Sequence, residues 1–250
     1  FCNAGFDLIG GYRYMVPYNS DTLILLTIMG LIVGGGLGFG VLLNVWRQRD
    51  VRRLRLHSKM MLTGTAFLIL FGTLTFLIIE YDNPNTIGNM SFFQKLLNCA
   101  FQSVTLRTAG FNSIDQLTLH DASKGIGIML MLVGGGPAGT AGGLKVTTVF
   151  TLLLAIRAYM RGRFDTVAFG RTISLDQVRR ALTIFVMGLL FLLGLSTLLS
   201  VVEQSNAAGG LGLLNQLYDA TSAFCTVGVT TGVTLASGTA SRVILILLMY

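Results

Sequence analysis

Long apolar stretches separated by short polar ones dominate this chain, and their lengths predict membrane-spanning helices. Residues 22–46, 60–81 and 181–202 each supply about 20 or more mostly apolar residues, the length that a helix needs to cross a bilayer. A fourth apolar region, 124–156, is interrupted by a glycine-rich run, and 242–250 begins another apolar stretch.

The stretch 22–46 differs from the other spans in carrying six glycines. Small residues let membrane helices approach one another closely, so one interpretation is a helix-packing surface. The other interpretation is that the three consecutive glycines at 34–36 break the helix. The pattern leaves both interpretations open.

Two further apolar stretches are too short to cross a bilayer. Residues 92–103 and 211–224 are apolar at helical spacing, and a glycine-containing loop follows each one directly. We predict that both are re-entrant half-helices. The resulting unit is a span, a short helix, a glycine loop and a second span.

This unit predicts an all-α membrane protein whose repeats surround a central pore, as part of a four-repeat, ion-channel-like fold. Residues 1–46 supply the loop and last span of one repeat, and 60–157 form the next repeat. Residues 181–250 form a further repeat with an incomplete last span. Because Phe1 lies inside a repeated motif, we expect the sequence to be a piece cut from a longer chain.

Three glycine loops share one frame: a Thr or Asn two residues before a glycine, and an apolar residue after it. We call residues 3–6, 108–111 and 226–229 the first, second and third glycine loops. The third resembles the Thr-Val-Gly of K⁺-channel filters, whose backbone carbonyls replace the water shell of the ion. One copy alone is ordinary loop chemistry, but three copies in register predict an ion filter. The candidate filter residues are Asn3, Ala4, Gly5, Phe6, Thr108, Ala109, Gly110, Phe111, Thr226, Val227, Gly228 and Val229.

The chemistry of these loops favours a monovalent cation. Glycine accepts positive φ and lets carbonyls point at a common centre. The hydroxyls of Thr108 and Thr226 and the amide oxygen of Asn3 could add ligands, while no carboxylate is present. Ca²⁺ and Mg²⁺ sites favour carboxylates. Arg107, beside the second loop, either braces it through carbonyls or an acid such as Asp115, or points outward into solvent.

The glycine-rich run at 134–143 predicts a flexible constriction. It does not match a phosphate-binding loop, because Leu144 precedes Lys145 and Val146 stands where Ser or Thr is required. At 1.5 Å per residue, a helix from about 121 to 134 descends roughly 20 Å, which places the run well below the filter. Lys145 either repels cations, anchors the run to an acid, or extends to the membrane surface. The candidate gate residues are Gly134, Gly135, Gly136, Pro137, Ala138, Gly139, Thr140, Ala141, Gly142, Gly143 and Lys145.

Charge predicts the orientation of a multi-pass cell-membrane protein. Loops 47–59 and 157–180 hold twelve of the eighteen Lys and Arg residues, so both are expected on the cytoplasmic side, with the glycine loops facing outside. The net charge of +7 is thus explained by topology rather than by nucleic-acid binding. The outer segments carry more acids than bases, which forms either a cation-attracting vestibule or an ordinary solvated surface. Those acids are Asp7, Asp21, Glu80, Asp82, Asp115, Asp121, Glu203 and Asp219.

Other chemistries find little support in the sequence. The three cysteines form no Cys-x-x-Cys pair and the two histidines are far apart, so a zinc site or disulfide framework is not expected. We expect the cysteines to be small buried apolar residues. No Ser, His and Asp set suggests an enzyme.

Two segments carry a family resemblance. Ser-Val-Thr-Leu-Arg-Thr-Ala-Gly-Phe-Asn at 103–112 and Gly-Gly-Pro-Ala-Gly-Thr-Ala-Gly-Gly-Leu-Lys at 135–145 resemble the Trk/Ktr/HKT superfamily of K⁺ transporters. Membrane subunits of the Ktr type (KtrB-like) match best, and those of the Trk type (TrkH-like) come next. The resemblance extends over essentially the whole chain.

The resemblance implies four repeats around one pore, with the three glycine loops as the second, third and fourth filters and 134–143 as an intramembrane gating loop. It implies K⁺ as the transported ion, allows Na⁺ as an activating ion, and implies no covalently bound cofactor. The implied partners are the lipid bilayer, a second copy in a homodimer, and a cytosolic nucleotide-binding regulatory subunit similar to KtrA or TrkA.

The expected function is therefore K⁺ uptake through a gated pore. One alternative is Na⁺ or mixed Na⁺/K⁺ transport, which one branch of the superfamily marks with serine in place of a filter glycine; here all three are glycine. The other alternative is a structural membrane subunit that does not transport.

Overall fold

The computed structural model describes residues 3, 5, 15–48, 50, 53–137, 139–162, 165–203 and 212–249, and helices dominate these ranges. A short 3₁₀ turn, Val16–Tyr18, precedes the first helix. The helices are α1 (Thr22–Leu37), α2 (Phe39–Gln48), α3 (Leu56–Glu80), α4 (Phe92–Thr105), α5 (Asp121–Leu132), α6 (Val146–Met160), α7 (Leu175–Glu203), α8 (Leu213–Phe224), α9 (Val233–Ala236) and α10 (Thr239–Met249). The strands are β1 (Thr166–Ala168) and β2 (Arg171–Ile173).

Within the described residues, α3 and α7 are long and apolar enough to cross a membrane, and α1 with α2 forms a third candidate that is bent by 97°. The prediction of one continuous span at 22–46 is therefore wrong. The bend lies at Gly38, whose φ of 84° is rarely accessible to a residue with a side chain. The alternative break at 34–36 is also wrong, since these glycines lie inside α1.

The two short helices form as predicted. Helix α4 begins at a capping box, in which Ser91 Oγ accepts from the Gln94 amide and Gln94 Oε1 accepts from the Ser91 amide. Helix α8 ends at Phe224, just before the third glycine loop. The interruption of the apolar region 124–156 is also confirmed, because α5 and α6 are separate helices.

Packing places the short helices inside and the long helices around them. Helix α4 packs against α3 and α1, and α8 packs against α5, α7 and α10. On α3 the buried face includes Gly72, which makes room for Ser103 of α4, whereas Leu70, Leu74 and Ile78 are exposed. Small residues inside and large apolar residues outside are typical of a helix surrounded by lipid.

A β-hairpin in the predicted basic loop is an addition that the all-α prediction missed. β1 pairs antiparallel with β2, and both turn residues, Phe169 and Gly170, have positive φ. Ala168 and Ile173 pack with Met60 at the start of α3, so the hairpin is held by apolar contacts to a long helix.

Two cysteines agree with the sequence-based expectation. Cys99 and Cys225 are free and fully buried, while Cys2 lies outside the described residues. Both cysteines belong to one apolar cluster together with Phe76, Leu106 and Tyr218.

Candidate functional site

The three glycine loops meet at one place in the structure. A Cβ added to Gly5 would lie 2.7 Å from the Ala109 carbonyl oxygen and 2.8 Å from the Gly110 Cα. A Cβ on Gly110 would lie 2.7 Å from the Val227 oxygen, and one on Gly228 would lie 3.5 Å from the Gly110 Cα. The approach of the backbone at Gly5 and Gly110 is too close for any residue with a side chain, whereas the distance at Gly228 is an ordinary contact. Ala4 and Phe6 of the first loop lie outside the described residues.

The backbones of the three loops also share an unusual conformation. Asn3, Thr108 and Thr226 have φ of 52°, 68° and 53°, and the glycines two residues later have φ of 61°, 78° and 90°. A side-chain-bearing residue with positive φ is strained, and such strain concentrates at functional sites. Across the described residues, Phe169 is the one other non-glycine with positive φ. The sequence motif that the three loops share is thus also a repeat of backbone geometry.

Side-chain oxygens of the first and second glycine loops are buried without partners among the described residues, whereas Thr226 of the third loop is exposed. Thr108 is 1% exposed, and its Oγ1 has no hydrogen-bond partner within the described part of the chain. The amide oxygen and nitrogen of Asn3 are likewise buried and unpaired there. Groups of this kind are costly unless a ligand, an ion or water satisfies them.

The last turn of helix α4 holds the second glycine loop in place. Thr105 Oγ1 accepts from the Phe111 amide at 3.0 Å and donates to the Phe111 carbonyl. The Ala109 amide donates to the Thr105 carbonyl at 3.0 Å. The loop is therefore pinned at both ends to the last turn of the helix that precedes it.

Arg107 is buried rather than directed into solvent. Its Nη2 donates to Thr65 Oγ1 of α3 at 3.1 Å. The predicted partner Asp115 is wrong, since this exposed carboxylate accepts from the Leu117 amide in a local turn. The guanidinium thus ties the second glycine loop to a long helix through a hydroxyl.

Asp219 of α8 holds the segment that follows the third glycine loop. Its carboxylate is 2% exposed and accepts five hydrogen bonds from two backbone amides and three hydroxyls. The donors are Thr230 Oγ1, Thr231 N and Oγ1, and Thr234 N and Oγ1. Asp219 was expected to be a vestibule acid, and this structural role was not predicted. The cluster of threonines at 230–234 was the available signal.

Other acids of the predicted vestibule are also buried. Glu80 accepts from Asn83, Thr86, Ser123 and the His120 amide, and Glu203 accepts from the Gly238 amide. For these acids and Asp219 the vestibule interpretation is wrong, because the carboxylates are buried and accept hydrogen bonds from within the protein. Four of the predicted vestibule acids are exposed, namely Asp21, Asp82, Asp115 and Asp121, while Asp7 lies outside the described residues.

The candidate gate run connects α5 to α6 as an irregular segment, with Ala138 outside the described residues. A parallel β-bridge between Val133 and Leu144 closes its base. Its amides donate to the last carbonyls of α1: Gly136 N to Gly36 O at 2.8 Å and Thr140 N to Gly35 O at 3.5 Å. Helix-end carbonyls need such partners, and the bend at Gly38 leaves them available.

The same run touches the third glycine loop. A Cβ added to Gly142 would lie 2.7 Å from the Cys225 carbonyl oxygen and would collide with Thr226 Oγ1. A Cβ on Gly143, whose φ is 66°, would lie 3.2 Å from the Cys225 Cβ. The run therefore lies directly against the start of the loop, closer than the sequence spacing suggested. The run needs small residues because it packs closely against the end of α1 on one side and the third glycine loop on the other.

Lys145 anchors the run to its own backbone. Its Nζ donates to the Ala141 carbonyl at 2.6 Å, and the residue is half-buried. The predicted anchoring to an acid is wrong, since the ammonium group donates to a backbone carbonyl.

Comparison with known proteins matches the chain along its whole length. The model of the TrkH family, described as a cation transport protein, matches residues 1–250. The chain is 38% identical to the Ktr system potassium uptake protein B of Bacillus subtilis over 251 residues, covering 100% of the chain and 54% of the relative. It is also 38% identical to the potassium/sodium uptake protein NtpJ of Enterococcus hirae, with the same coverage of each.

A solved structure supports the fold. The potassium transporter TrkH from Vibrio parahaemolyticus matches with a TM-score of 0.74 and 16% identity, covering 99% of the chain and 53% of that structure. The chain spans about half the length of the relatives that it matches. From the match over all 250 residues and the 38% identities, the chain belongs to the TrkH family of cation transport proteins.

Proposed function

We propose that the chain forms part of the pore of a K⁺ uptake system and that the three glycine loops line its ion filter. One observation carries this proposal: Gly5, Gly110 and Gly228 converge, and each follows a residue with positive φ by two positions. Positive φ at every second residue can turn successive carbonyls toward one side of the strand. A ring of such carbonyls can replace the water shell of a monovalent cation.

The helices before the loops favour a cation at the same place. Helices α4 and α8 end at Thr105 and Phe224, immediately before the second and third loops. The C-terminal end of a helix carries a partial negative charge from its aligned peptide dipoles. Thr108 Oγ1 and the Asn3 amide oxygen, both buried and unpaired within the described residues, are further oxygen donors.

The repeat boundaries form part of the proposal. Residues 1–46 supply the end of a second repeat, 60–157 a third and 181–250 a fourth. The order of elements supports this division, since α3, α4 and α5 repeat as α7, α8 and α10 around the second and third loops.

Ion uptake by the full-length protein tests the function. In cells that lack their own K⁺ uptake, we expect the protein to restore growth at low K⁺ and to accumulate K⁺ in preference to Na⁺. Absence of uptake for both ions, with the protein verified in the membrane, would support a structural subunit and overturn the proposal.

Mixed Na⁺/K⁺ transport is the second candidate. The relative named as a potassium/sodium uptake protein is as similar in identity as the one named for potassium alone. Glycine at all three described filter positions favours K⁺ selectivity. The same assay separates the two candidates through the ratio of K⁺ to Na⁺ uptake.

We further propose that the run 134–143, with Lys145, gates the pore. It bridges the end of α1 and the start of the third glycine loop, so movement of this one segment alters both walls. The Lys145 bond to Ala141 holds the run in its observed shape.

Deleting residues 135–142 is expected to raise K⁺ flux and to reduce its dependence on a cytosolic partner, without changing selectivity. The deletion is sterically reasonable because the Val133–Leu144 bridge already joins the two ends of the run. Initial rates of K⁺ and Na⁺ uptake measure the effect. Lys145→Met, which removes the anchor but keeps the chain length, should raise flux by a smaller factor. Unchanged flux in both variants would place the gate elsewhere.

The orientation is proposed from charge, with loops 47–59 and 157–180 in the cytoplasm and the glycine loops facing outside. We expect Asn85→Cys to react with a membrane-impermeant thiol reagent in intact cells, whereas Tyr159→Cys should react only after permeabilisation. Both positions are exposed, so access to the reagent depends on the side of the membrane. The assay uses a background without the native cysteines. The opposite labelling pattern would invert the topology.

The proposed partners are a second copy of the chain and a cytosolic nucleotide-binding regulatory subunit. Support comes from relatives whose names place them in a Ktr system. Purification of the full-length protein with its cytosolic neighbours, followed by mass measurement of the complex, tests both.

A further inference from the structure

A fully buried polar bridge joins α4 to α8 behind the glycine loops. Gln102 of α4 and Gln116 of the following loop pair through their amides, with Gln102 Nε2 to Gln116 Oε1 at 2.6 Å and the return bond at 3.1 Å. Tyr218 of α8 donates its hydroxyl to the same Gln116 Oε1 at 2.7 Å. All three side chains have 0% exposure.

Gln116 is saturated in this arrangement. Its Nε2 also donates to the Ile114 carbonyl at 2.8 Å, so its two hydrogens and both lone pairs of Oε1 are used. The Ile114 carbonyl can only accept, which sets the amide nitrogen on that side and Oε1 toward Tyr218. The contacts therefore select one orientation of the side chain.

The bridge connects the supports of two glycine loops. Gln102 lies one turn before Thr105, which pins the second loop through Phe111. Tyr218 is adjacent to Asp219, which holds the segment after the third loop. Thus a rigid link runs from the second loop through α4, Gln116 and α8 to the third loop.

The ring of Tyr218 is fitted into place by a second contact. A Cβ added to Gly127 of α5 would lie 2.9 Å from Tyr218 Cε2, so α5 approaches the ring at a glycine. The packing of α5 against the Tyr218 ring of α8 therefore directs the hydroxyl toward Gln116, in the loop that follows α4. A phenylalanine at 218 would fill the same space and lose only the hydroxyl.

Stability alone does not explain a polar bridge at this depth. A buried polar network is at best comparable in stability to an apolar core, but it specifies one arrangement of the groups that it joins. The second and third glycine loops, which the bridge links, touch at Gly110 and Val227. The distance between the two backbones there sets how far apart their carbonyl oxygens lie around an ion.

We propose that Gln116, together with Tyr218 and Gln102, forms a positioning bridge that sets the separation of the second and third glycine loops and so determines discrimination between K⁺ and Na⁺. The inference rests on the proposed function of those loops as a filter. The three residues touch no ion themselves and act through the backbone carbonyls that they place.

The test is the ratio of K⁺ to Na⁺ uptake by the full-length protein, normalised to its abundance in the membrane. Tyr218→Phe is expected to lower the ratio about three- to tenfold, the equilibrium effect of one lost hydrogen bond of ordinary strength. Gln116→Leu should lower the ratio further. Adding Tyr218→Phe to Gln116→Leu should cause no further loss, since the hydroxyl has then already lost its acceptor.

Tyr81→Phe is the matched control, because Tyr81 is partly exposed and its hydroxyl belongs to no part of the bridge. Its uptake ratio should equal that of the wild type. An unchanged ratio in Tyr218→Phe, at normal abundance, would overturn the bridge. So would a parallel loss of K⁺ and Na⁺ uptake, which indicates a structural role alone. A wild-type protein without K⁺ preference would instead favour mixed Na⁺/K⁺ transport over K⁺ uptake and would overturn the bridge as a determinant of selectivity.

Discussion

Gly110→Ser is expected to lower the ratio of K⁺ to Na⁺ uptake by about tenfold or more, because a side chain at strained positive φ costs on the order of 1–3 kcal/mol. Gly110 has a φ of 78°, and a Cβ there would lie 2.7 Å from the Val227 oxygen and 3.1 Å from the Gly5 Cα. Both contacts are with backbone, which cannot rotate away as a flexible side chain can. The carbonyls of all three loops must therefore shift.

Gly228→Ser should have a smaller effect than Gly110→Ser. Its φ of 90° brings the same backbone strain, but the nearest atom to an added Cβ is the Gly110 Cα at 3.5 Å, an ordinary contact distance. A larger loss of selectivity in Gly110→Ser than in Gly228→Ser would thus test the packing distances themselves, and not only the need for glycine.

Uptake of both ions by the full-length protein, normalised to membrane abundance, measures these effects. Gly125→Ser of α5 is the control, since no atom lies within 4 Å of an added Cβ at that position. Wild-type selectivity in both Gly110→Ser and Gly228→Ser would show that these loops do not form the filter.

Asp219→Asn is expected to reduce K⁺ uptake roughly tenfold or more, because a buried group left unsatisfied costs about 1–3 kcal/mol and more when it is charged. The substitution keeps the shape of the side chain but replaces one acceptor oxygen with a donor. In one orientation the new amide faces the Thr231 N–H, and in the other it faces the Thr234 N–H. Both neighbours are backbone donors, so no rotation of the amide satisfies the site.

The expected consequence is a displaced segment after the third glycine loop, with loss of transport exceeding loss of protein from the membrane. Uptake rate per molecule is the measurement that separates these effects. Asp115→Asn is the control, because Asp115 is exposed and accepts one local bond from the Leu117 amide. Equal transport by Asp219→Asn and Asp115→Asn would show that the carboxylate network does not support the filter.

Much of the helical plan follows from local pattern. Helices α3, α4, α7 and α8 appear within a few residues of the predicted stretches, apart from an earlier start of α3 and α7. This agreement has a physical reason. The thickness of the bilayer sets the number of apolar residues that a spanning helix needs, and that number can be read from neighbouring residues. The hairpin was missed because its turn places Phe169 at positive φ, which its residue type does not suggest.

The bend of α1 shows the limit of local pattern. Six glycines occur in residues 22–46, and nothing in their order identifies Gly38 as the break. The choice depends on a segment about 100 residues later, whose amides take up the carbonyls of Gly35 and Gly36. A helix can end there because its last acceptors are satisfied from outside.

By itself the sequence determined the membrane class, the short helices before the loops and the register of the three glycine motifs, since each is written in neighbouring residues. Only the tertiary structure decided which polar side chains are buried and which are exposed. Asp219 is the same residue type as exposed Asp115, and Gln116 lies 102 positions from its partner Tyr218. Their roles arise because folding removes water from one carboxylate and one amide and supplies donors from distant segments, a choice that no local pattern of residues records.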